Sequence, residues 1–286
     1  MSLTTEIQWC DTTVNPVMGC DGCELRNRDE GVRRCYAGTL HDLRKGNRGY
    51  APTFEQVTLF PGRTAEAART SDLAGTVRLL KPWLDGLPRL IFVSDMGDAL
   101  SKSVPFPYLE AEVIVPAASA AGLRHRWLWL TKRPPRMARF SEWLRERGIT
   151  WPSNIWAGTS ITTNSTERIG HLLKVGDENT TRFLSVEPQS EWCDLSSWLP
   201  RLDWVIQGGE SGRQPLAFDL AWARRLRDEC EAATVPYFLK QLGRRPLEDG
   251  GEFRLHDAHG GDWVEWPVDL RVRQMPEPRE EQTISP

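Results

Sequence analysis

Six short apolar runs recur along the chain from about residue 89, and they constrain the fold more than any other feature. Each run is rich in β-branched and aromatic residues and is too short for a core helix. Apolar character that is nearly continuous over four residues is typical of strands buried on both faces. The runs are residues 90–93, 127–130, 154–157, 182–185, 204–207 and 237–240. They predict the strands of a buried, parallel sheet.

The segments between these runs have the marks of helices. Residues 108–121, 135–147 and 218–233 are Ala-rich or carry apolar residues at three- and four-residue spacing. Strands that alternate with helices predict βα units. With a further strand predicted at residues 7–9, the count is seven. The sequence therefore predicts an α/β fold, a partial or closed (β/α) barrel of the triosephosphate-isomerase type, with a doubly wound open sheet as the alternative.

The predicted domain organisation is a barrel over residues 1–243 and a small irregular appendage with a polar tail over residues 244–286. Pro, Gly and charged residues dominate the second part. The net charge of −3, from 36 basic and 39 acidic residues, argues against a surface coated with non-specific nucleic-acid contacts. No apolar run approaches the roughly 18 residues of a membrane span, and the start lacks the pattern of a signal peptide. We expect a cytoplasmic protein with no membrane partner.

Polar residues follow every one of the six runs. In parallel βα folds the chemistry lies at the carboxyl ends of the strands. A polar residue at a strand end is often only a helix N-cap, and a Gly-Gly pair is often only a turn, but six exits of the same character favour a site. The candidates at this rim are Asp95, Asp98, Lys132, Arg133, Ser160, Glu187, Gly208, Gly209, Glu210 and Lys240.

Three cysteines lie within sixteen residues, in the spacing Cys20-x2-Cys23-x11-Cys35. In a chain without an export signal, clustered cysteines favour metal or redox ligands over disulfides. Structural zinc usually takes four ligands in two close pairs, and the second pair is missing here. Three thiolates suit a [4Fe–4S] cluster with one iron left open. Zinc and reduced structural thiols remain alternatives, and Cys193 and Cys230 are expected to be buried as small apolar residues.

Eight segments, in order from about residue 5 to 243, carry a resemblance to a known family. They are Glu-Ile-Gln-Trp at 6–9, Asn-Pro-Val-x-Gly-Cys at 15–20, Cys-Tyr-Ala at 35–37, Phe-Val-Ser-Asp-Met-x-Asp at 92–98, Leu-Thr-Lys-Arg-Pro at 130–134, Phe-Leu-Ser-Val-Glu-Pro at 183–188, Gly-Gly-Glu-Ser-Gly at 208–212 and Phe-Leu-Lys-Gln at 238–241. The chain resembles the phage gene-product 37/68 family of unknown function, which looks like a divergent branch of the radical S-adenosylmethionine enzymes.

This resemblance implies a [4Fe–4S] cluster on Cys20, Cys23 and Cys35, with S-adenosylmethionine at the open iron and an external electron donor. One departure concerns the spacing. The family pattern ends in Cys-x2-Cys-Tyr-Ala, whereas here the close pair comes first and residues 24–34 precede the last cysteine. The implied cofactor contacts are Asp95 and Asp98 to the methionine amino group or a substrate cation, Ser160 and Glu187 to the ribose or carboxylate, and Gly208, Gly209 and Glu210 along the nucleoside or substrate.

Positive charge at the rim indicates the class of substrate. Lys132, Arg133 and Lys240 are typical of a site for an anion, so a nucleotide or a nucleic-acid base is the expected substrate. Glu187, Lys132 and Glu210 are the candidates for catalysis. Two other classes of protein stay open, namely a zinc-stabilised nucleic-acid-binding module and a phage accessory protein that keeps the barrel without catalysis.

Overall fold

The computed structural model describes residues 4–26, 34–162, 165–212 and 214–277, and it contains a mixed α/β fold. Twelve strands are present in the described residues. In chain order they are β1 (Thr12–Val14), β2 (Val17–Met18), β3 (Thr58–Leu59), β4 (Leu90–Val93), β5 (Arg126–Thr131), β6 (Ile155–Ser160), β7 (Arg182–Val186), β8 (Trp204–Gly208), β9 (Phe218–Asp219), β10 (Tyr237–Gln241), β11 (Pro246–Glu248) and β12 (Gly251–Glu252).

Seven of these strands form one parallel sheet in the order β1, β4, β5, β6, β7, β8, β10. All six apolar runs of the sequence lie in this sheet, so their prediction as strands is confirmed. The sheet curls into a half-barrel, and in the described part of the chain its edge strands β1 and β10 do not pair with each other. The architecture is therefore a partial (β/α) barrel. A closed barrel, the other form predicted, is not seen.

Seven α-helices lie along the described chain. They are α1 (Tyr36–Arg44), α2 (Arg63–Ala68), α3 (Phe106–Leu109), α4 (Val115–Ala118), α5 (Pro134–Glu146), α6 (Glu167–Leu172) and α7 (Leu220–Ala232), with a π-helical turn at Glu110–Ile114 and 3-10 turns at Pro82–Leu84, Leu199–Arg201, Trp263–Glu265 and Val268–Leu270. The predicted helix 108–121 is divided into α3, the π turn and α4, because Pro116 has no N–H to continue a regular ladder. No helix of the described residues is long and apolar enough to cross a bilayer.

The predicted strand at residues 7–9 is wrong, and β1 takes its place in the sheet. The backbone carbonyls of this segment are bound by a side chain rather than by a neighbouring strand. Lys81 Nζ donates to the carbonyl oxygens of Thr5, Ile7 and Cys10 at 2.8, 2.7 and 2.6 Å. An ammonium group with three such acceptors holds the segment in an irregular conformation across the bottom of the half-barrel.

Side chains alternate between the two faces of the curled sheet. Trp127 and Trp129 of β5 point outward into the core beneath the helices, whereas Leu128 between them points into the half-barrel. The interior is filled by a largely aromatic cluster near the amino-terminal halves of the strands. Its buried members are Trp9, Cys10, Leu84, Leu90, Phe92, Leu128, Trp156, Phe183, Trp204, Ile206 and Phe238. This cluster closes the lower end of the half-barrel and leaves its carboxyl end to polar residues.

The C-terminal segment covers the free edge of β10. Leu239 N donates to Val272 O and Gln274 N donates to Tyr237 O, both at 2.9 Å. Arg273 between them forms an antiparallel bridge with β10, and its guanidinium lies 4.1 to 5.1 Å from the ring centroids of three tryptophans, Trp83, Trp263 and Trp266. The predicted boundary at residue 243 stays a prediction, and the tail from 278 onward lies outside the described residues.

Candidate functional site

An ion pair lies inside the mouth of the half-barrel, at the carboxyl ends of β7 and β10. Lys240 Nζ donates to Glu187 Oε1, and both side chains are less than one-fifth exposed, at 18% and 17%. Lys240 lies at an irregularity in β10 between Leu239 and Gln241, and its charge acts on Cys10 of the inner cluster. The structure therefore brings together two of the predicted rim residues, one cationic and one anionic.

A buried polar chain behind β8 fixes the loop that carries Glu187. Tyr237 donates its hydroxyl proton to Gln207 Oε1, and the Gln207 side-chain amide donates to Gln189 Oε1. Gln189 N in turn donates to Gly208 O at 3.0 Å. All three side chains are almost completely buried, so each needs its hydrogen-bond partners. This chain ties β8 and β10 to the loop after β7 and sets the position of the ion pair.

Asp95 sits at the exit of β4 and is held from β1. Asn15 Nδ2 donates to Asp95 Oδ1 at 2.5 Å, while Asn15 Oδ1 accepts from Met96 N at 2.9 Å. The residue before it, Ser94, has a left-handed φ of 74°. Burial raises the pKa of the Asp95 carboxyl, and hydrogen bonds from Asn15 and Thr13 act in the opposite direction. The carboxyl is therefore held in a fixed position by partners from β1 and the exit of β4.

Asp98 follows the same strand but is surrounded by another loop. Its carboxylate accepts from Thr131 Oγ1 at 2.8 Å, from Leu100 N at 2.9 Å and from Lys132 N at 3.2 Å. Burial raises the pKa of this carboxyl, opposed chiefly by the charge of Arg133. These contacts fix the loop between β5 and α5. The predicted contact of Asp98 with a cofactor stays a prediction.

Glycines and a carboxylate follow β8. A Cβ on Gly209 would lie 2.3 Å from Leu242 O, so close packing requires this glycine. A Cβ on Gly208 would meet nothing nearer than 3.4 Å, and Glu187 Cδ lies 3.6 Å from that position. Glu210 Oε2 accepts from Leu216 N at 2.9 Å. Gly208 thus borders the ion pair, whereas the other two support the loop.

Cys20, Cys23 and Cys35 are free thiols of intermediate burial. Cys20 Sγ lies 3.7 Å from Arg133 Nη2, and the pKa of this thiol is raised to about 11, chiefly by burial. Burial also raises the pKa of Cys23, with Cys35 close enough to add to the effect and Lys132 opposing it. Cys35 is the N-cap of α1, where its Sγ accepts from Gly38 N at 3.4 Å. Of the three thiols, Cys20 is the one in contact with Arg133.

Three ion pairs attach the cysteine segment to the rim. Each joins a residue next to a cysteine with a residue that follows a different strand of the sheet. They are Asp21–Arg133, Glu24–Arg168 at 2.9 Å and Arg34–Glu210 at 3.8 Å. The second is strengthened by Thr162, whose hydroxyl donates to Glu24 at 2.5 Å, and the pKa of the Glu24 carboxyl is lowered to about 2 by these hydrogen bonds, against the opposing effect of burial.

The amino-acid sequence from residue 4 to residue 267 matches one family model, described as "Protein of unknown function (DUF5131)". The chain belongs to this family. The DUF5131 match spans the cysteine segment, all seven strands of the half-barrel and the chain as far as Pro267. A search of curated proteins and a search of solved structures each returned no match.

The cysteine segment offers the donors that a [4Fe–4S] cluster requires. Three free thiols in one segment, beside Lys132 and Arg133, agree with such a cluster in the number and type of donors. Across residues 4–26, 34–162, 165–212 and 214–277, however, no three His, Cys, Asp or Glu side chains are arranged to hold a metal ion. The chemistry of the donors fits a cluster, and binding would require the three thiols to come closer together.

Sequence reasoning missed two residues that organise the site. Asn15 holds Asp95, and Arg168 binds Glu24 next to a cysteine. The first is the exit residue of β1, and it was overlooked because the first strand was placed at residues 7–9. Arg168 lies in α6, and only the fold shows that its guanidinium reaches the cysteine segment. Ser160, which was predicted as a site residue, lies at the end of β6. Its backbone carbonyl accepts a hydrogen bond from Arg168 at 3.0 Å.

Proposed function

We propose that this chain is a radical S-adenosylmethionine-type enzyme in which Cys20, Cys23 and Cys35 hold a [4Fe–4S] cluster at the mouth of the half-barrel. One observation carries the proposal. Three free, partly buried thiols lie in one segment attached to the carboxyl end of a curled parallel sheet, the end at which barrel enzymes have their active sites. The resemblance to the phage gene-product 37/68 family supports the same function.

When bound, the cluster with S-adenosylmethionine at its open iron would supply reductive cleavage of the cofactor's S–C5′ bond, giving methionine and a 5′-deoxyadenosyl radical. The chain's own residues would bind, orient and shield. Asp95, whose pKa is raised by burial, would offer a hydrogen bond to the cofactor or substrate from a carboxyl fixed by Asn15. Lys240 and Glu187 would present one cation and one anion at the opposite side of the mouth.

The aromatic cluster below the mouth would exclude water. Trp9 lies 4.6 Å from Phe92 and 6.4 Å from Trp204, between ring centroids, and all three are buried. Rings packed at these distances leave little space for solvent at the closed end of the half-barrel. A reactive species at the mouth would then be shielded from solvent on the side of this cluster.

The test is anaerobic reconstitution with iron and sulfide, followed by metal analysis. The wild type is expected to hold about four irons per chain. Cys20→Ala, Cys23→Ala and Cys35→Ala should each lose most of that iron. Cys193→Ala is the matched control, because this thiol is buried in the core on the outer side of the sheet and should have no effect on iron content.

Three outcomes would contradict the proposal. They are iron that is retained in all three variants, zinc in place of iron in the wild type, and iron-loaded protein that releases no 5′-deoxyadenosine with dithionite and S-adenosylmethionine. Zinc would support the nucleic-acid-binding module instead. Loaded protein without cleavage would support an accessory protein that has lost catalysis.

A further inference from the structure

One surface beside the mouth combines exposed cations with aromatic side chains. We call it the basic face, and it consists of Tyr36, Arg44, Lys45, Arg48 and Tyr50. The three basic residues are exposed, Tyr36 is 58% exposed, and Tyr50 is half-buried. Arg44 Nη1 donates to the Tyr50 hydroxyl at 3.1 Å. The face begins one residue after Cys35, so it adjoins the cysteine segment directly.

The positive charge of this face is not neutralised by neighbouring carboxylates. The two acids nearest in sequence, Asp42 and Glu55, both pair with Arg26, at 3.4 and 2.8 Å. In the part of the chain that the structure describes, none of Arg44, Lys45 and Arg48 has a carboxylate within ion-pair distance, and the Arg44 guanidinium donates to the Tyr50 hydroxyl instead. The chain as a whole carries a charge of −3, so this positive surface is local.

The basic face is attached firmly to the half-barrel. His41 of α1 is buried, and its Nε2 lies 2.9 Å from Ala51 O. Arg63 Nη2 donates to Gly49 O at 2.6 Å, and Nη1 of the same guanidinium donates to Asn15 O at 3.2 Å. Asn15 is the residue that holds Asp95. One arginine therefore connects the turn that carries the cations with the residue that positions the carboxyl of the mouth.

Cations next to exposed aromatic rings are the combination that binds single-stranded nucleic acid, since phosphates pair with the cations and bases stack on the rings. We infer that the basic face binds the backbone of single-stranded nucleic acid and places one base at the barrel mouth. The second half of this inference rests on the proposed function, and the first half does not. It names the substrate class of the site as a polynucleotide rather than a free nucleotide.

Anionic membranes and acidic proteins are other polyanions, but the face favours nucleic acid. A membrane-binding surface needs an apolar side to insert, and Leu43 is the one large aliphatic residue on α1 that is strongly exposed, at 72%. The two tyrosines beside the cations are suited to stack on bases. The face adjoins the cysteine segment at Tyr36, which is where the inference places the base.

The test measures the fluorescence anisotropy of labelled twelve-nucleotide oligo(dT) and oligo(U) with full-length apoprotein at low salt. The variant that combines Arg44→Gln, Lys45→Gln and Arg48→Gln should bind at least about tenfold more weakly. The slope of log K against log salt concentration should become less steep by about two, since each lost phosphate contact removes roughly 0.7. The matched control combines Arg124→Gln, Lys174→Gln and Arg201→Gln. These substitutions remove the same charge at exposed positions. The three residues precede strands and therefore lie at the opposite end of the sheet from the basic face. The control should bind like the wild type.

Three results would overturn the inference. They are a triple variant that binds as tightly as the wild type, a wild type that binds neither oligonucleotide, and a wild type that prefers phosphatidylserine vesicles to both. Tyr36→Leu tests stacking separately, since it keeps the charge and should still weaken binding several-fold. The apoprotein carries no cluster, so failed iron loading would remove the proposed enzyme without affecting this result, and failed binding would remove the polynucleotide without affecting the enzyme.

Discussion

Glu24 shows how much one carboxylate does in this molecule. It accepts from both terminal nitrogens of Arg168 at 2.9 Å and from Thr162, and it lies next to Cys23. Two parallel N–H···O bonds to a carboxylate restrict orientation as well as distance. The backbone of the cysteine segment is thereby held at the end of β6. A glutamine would keep the shape of the side chain but lose the charge and one acceptor.

We expect Glu24→Gln to lower the free energy of unfolding at neutral pH by on the order of 1 kcal/mol, because this pair is partly exposed to solvent. The folded pKa of about 2 lies below the ordinary 4.5. The carboxylate therefore stabilises the fold above its ordinary pKa, and this contribution is lost as the pH falls from about 4.5 to about 2. Urea unfolding over that range checks the result.

Glu142→Gln is the control, because Glu142 pairs with Arg145 on the open surface of α5. It should change the stability little at any pH. A difference between Glu24→Gln and the wild type that stays constant down to pH values near 2 would show that the carboxylate is not the source of the effect.

Among the helices and strands, the strands are the elements that the sequence predicts best. Runs such as Trp-Leu-Trp-Leu at 127–130 leave no face for solvent, so their burial is evident without a structure. β1 was missed because Thr-Thr-Val at 12–14 is short and polar, while Ile-Gln-Trp at 7–9 imitates a strand. What excludes 7–9 from the sheet is Lys81, more than seventy residues away in the chain, and no local pattern reveals such a contact.

Lys81→Met should therefore destabilise the protein more than most single changes. The methionine fills similar space but leaves three backbone carbonyls without their donor, which costs on the order of 3 kcal/mol. Burial lowers the pKa of this lysine, because a buried charge is unfavourable. Replacement by methionine removes that cost of burying a charge, which offsets part of the loss. Chemical denaturation measures the loss. Lys174→Met, at an exposed position, should leave the stability unchanged, and an equal loss in both variants would contradict this account.

Only part of the candidate site could be predicted from the sequence. Glu187 and Lys240 were found as strand exits, and the structure joins them in one ion pair. Their pairing depends on which strands are neighbours across β8, and that order is a property of the whole sheet. The three residues that bind the cysteine segment from outside, Arg133, Arg168 and Glu210, belong to parts of the chain far apart in sequence. Partners of this kind are selected by tertiary packing, which a single sequence does not show.

For the whole molecule, the seven-stranded sheet leaves an open edge at β10, and an exposed edge invites pairing with other chains. Arg273 covers it. Its guanidinium donates to the carbonyls of Leu239 and Lys240 at 3.2 and 2.9 Å, and it packs among four aromatic rings. Burial lowers the pKa of this arginine to about 10. The segment around it is therefore part of the half-barrel's closure.

We expect Arg273→Gln to lower the free energy of unfolding by about 3 kcal/mol, because buried cation–π contacts and the four hydrogen bonds of the guanidinium are lost together. The variant should also associate with itself at high concentration as the edge of β10 becomes accessible. Urea unfolding and light scattering measure the two effects. Arg254→Gln, at an exposed position, is the control. Unchanged stability in Arg273→Gln would show that the edge is covered without this side chain.

Cys35 occupies an unusual junction, since the same sulfur is a proposed cluster ligand and the cap on the first turn of α1. A sulfur bound to iron is less available as an acceptor for Gly38 N, an amide in the first turn of α1, the helix that carries Tyr36 and Arg44. Loading the protein with iron is thus expected to change its affinity for a polynucleotide, and a bound polynucleotide is expected to change its affinity for iron. The two binding equilibria would be coupled through a single sulfur atom.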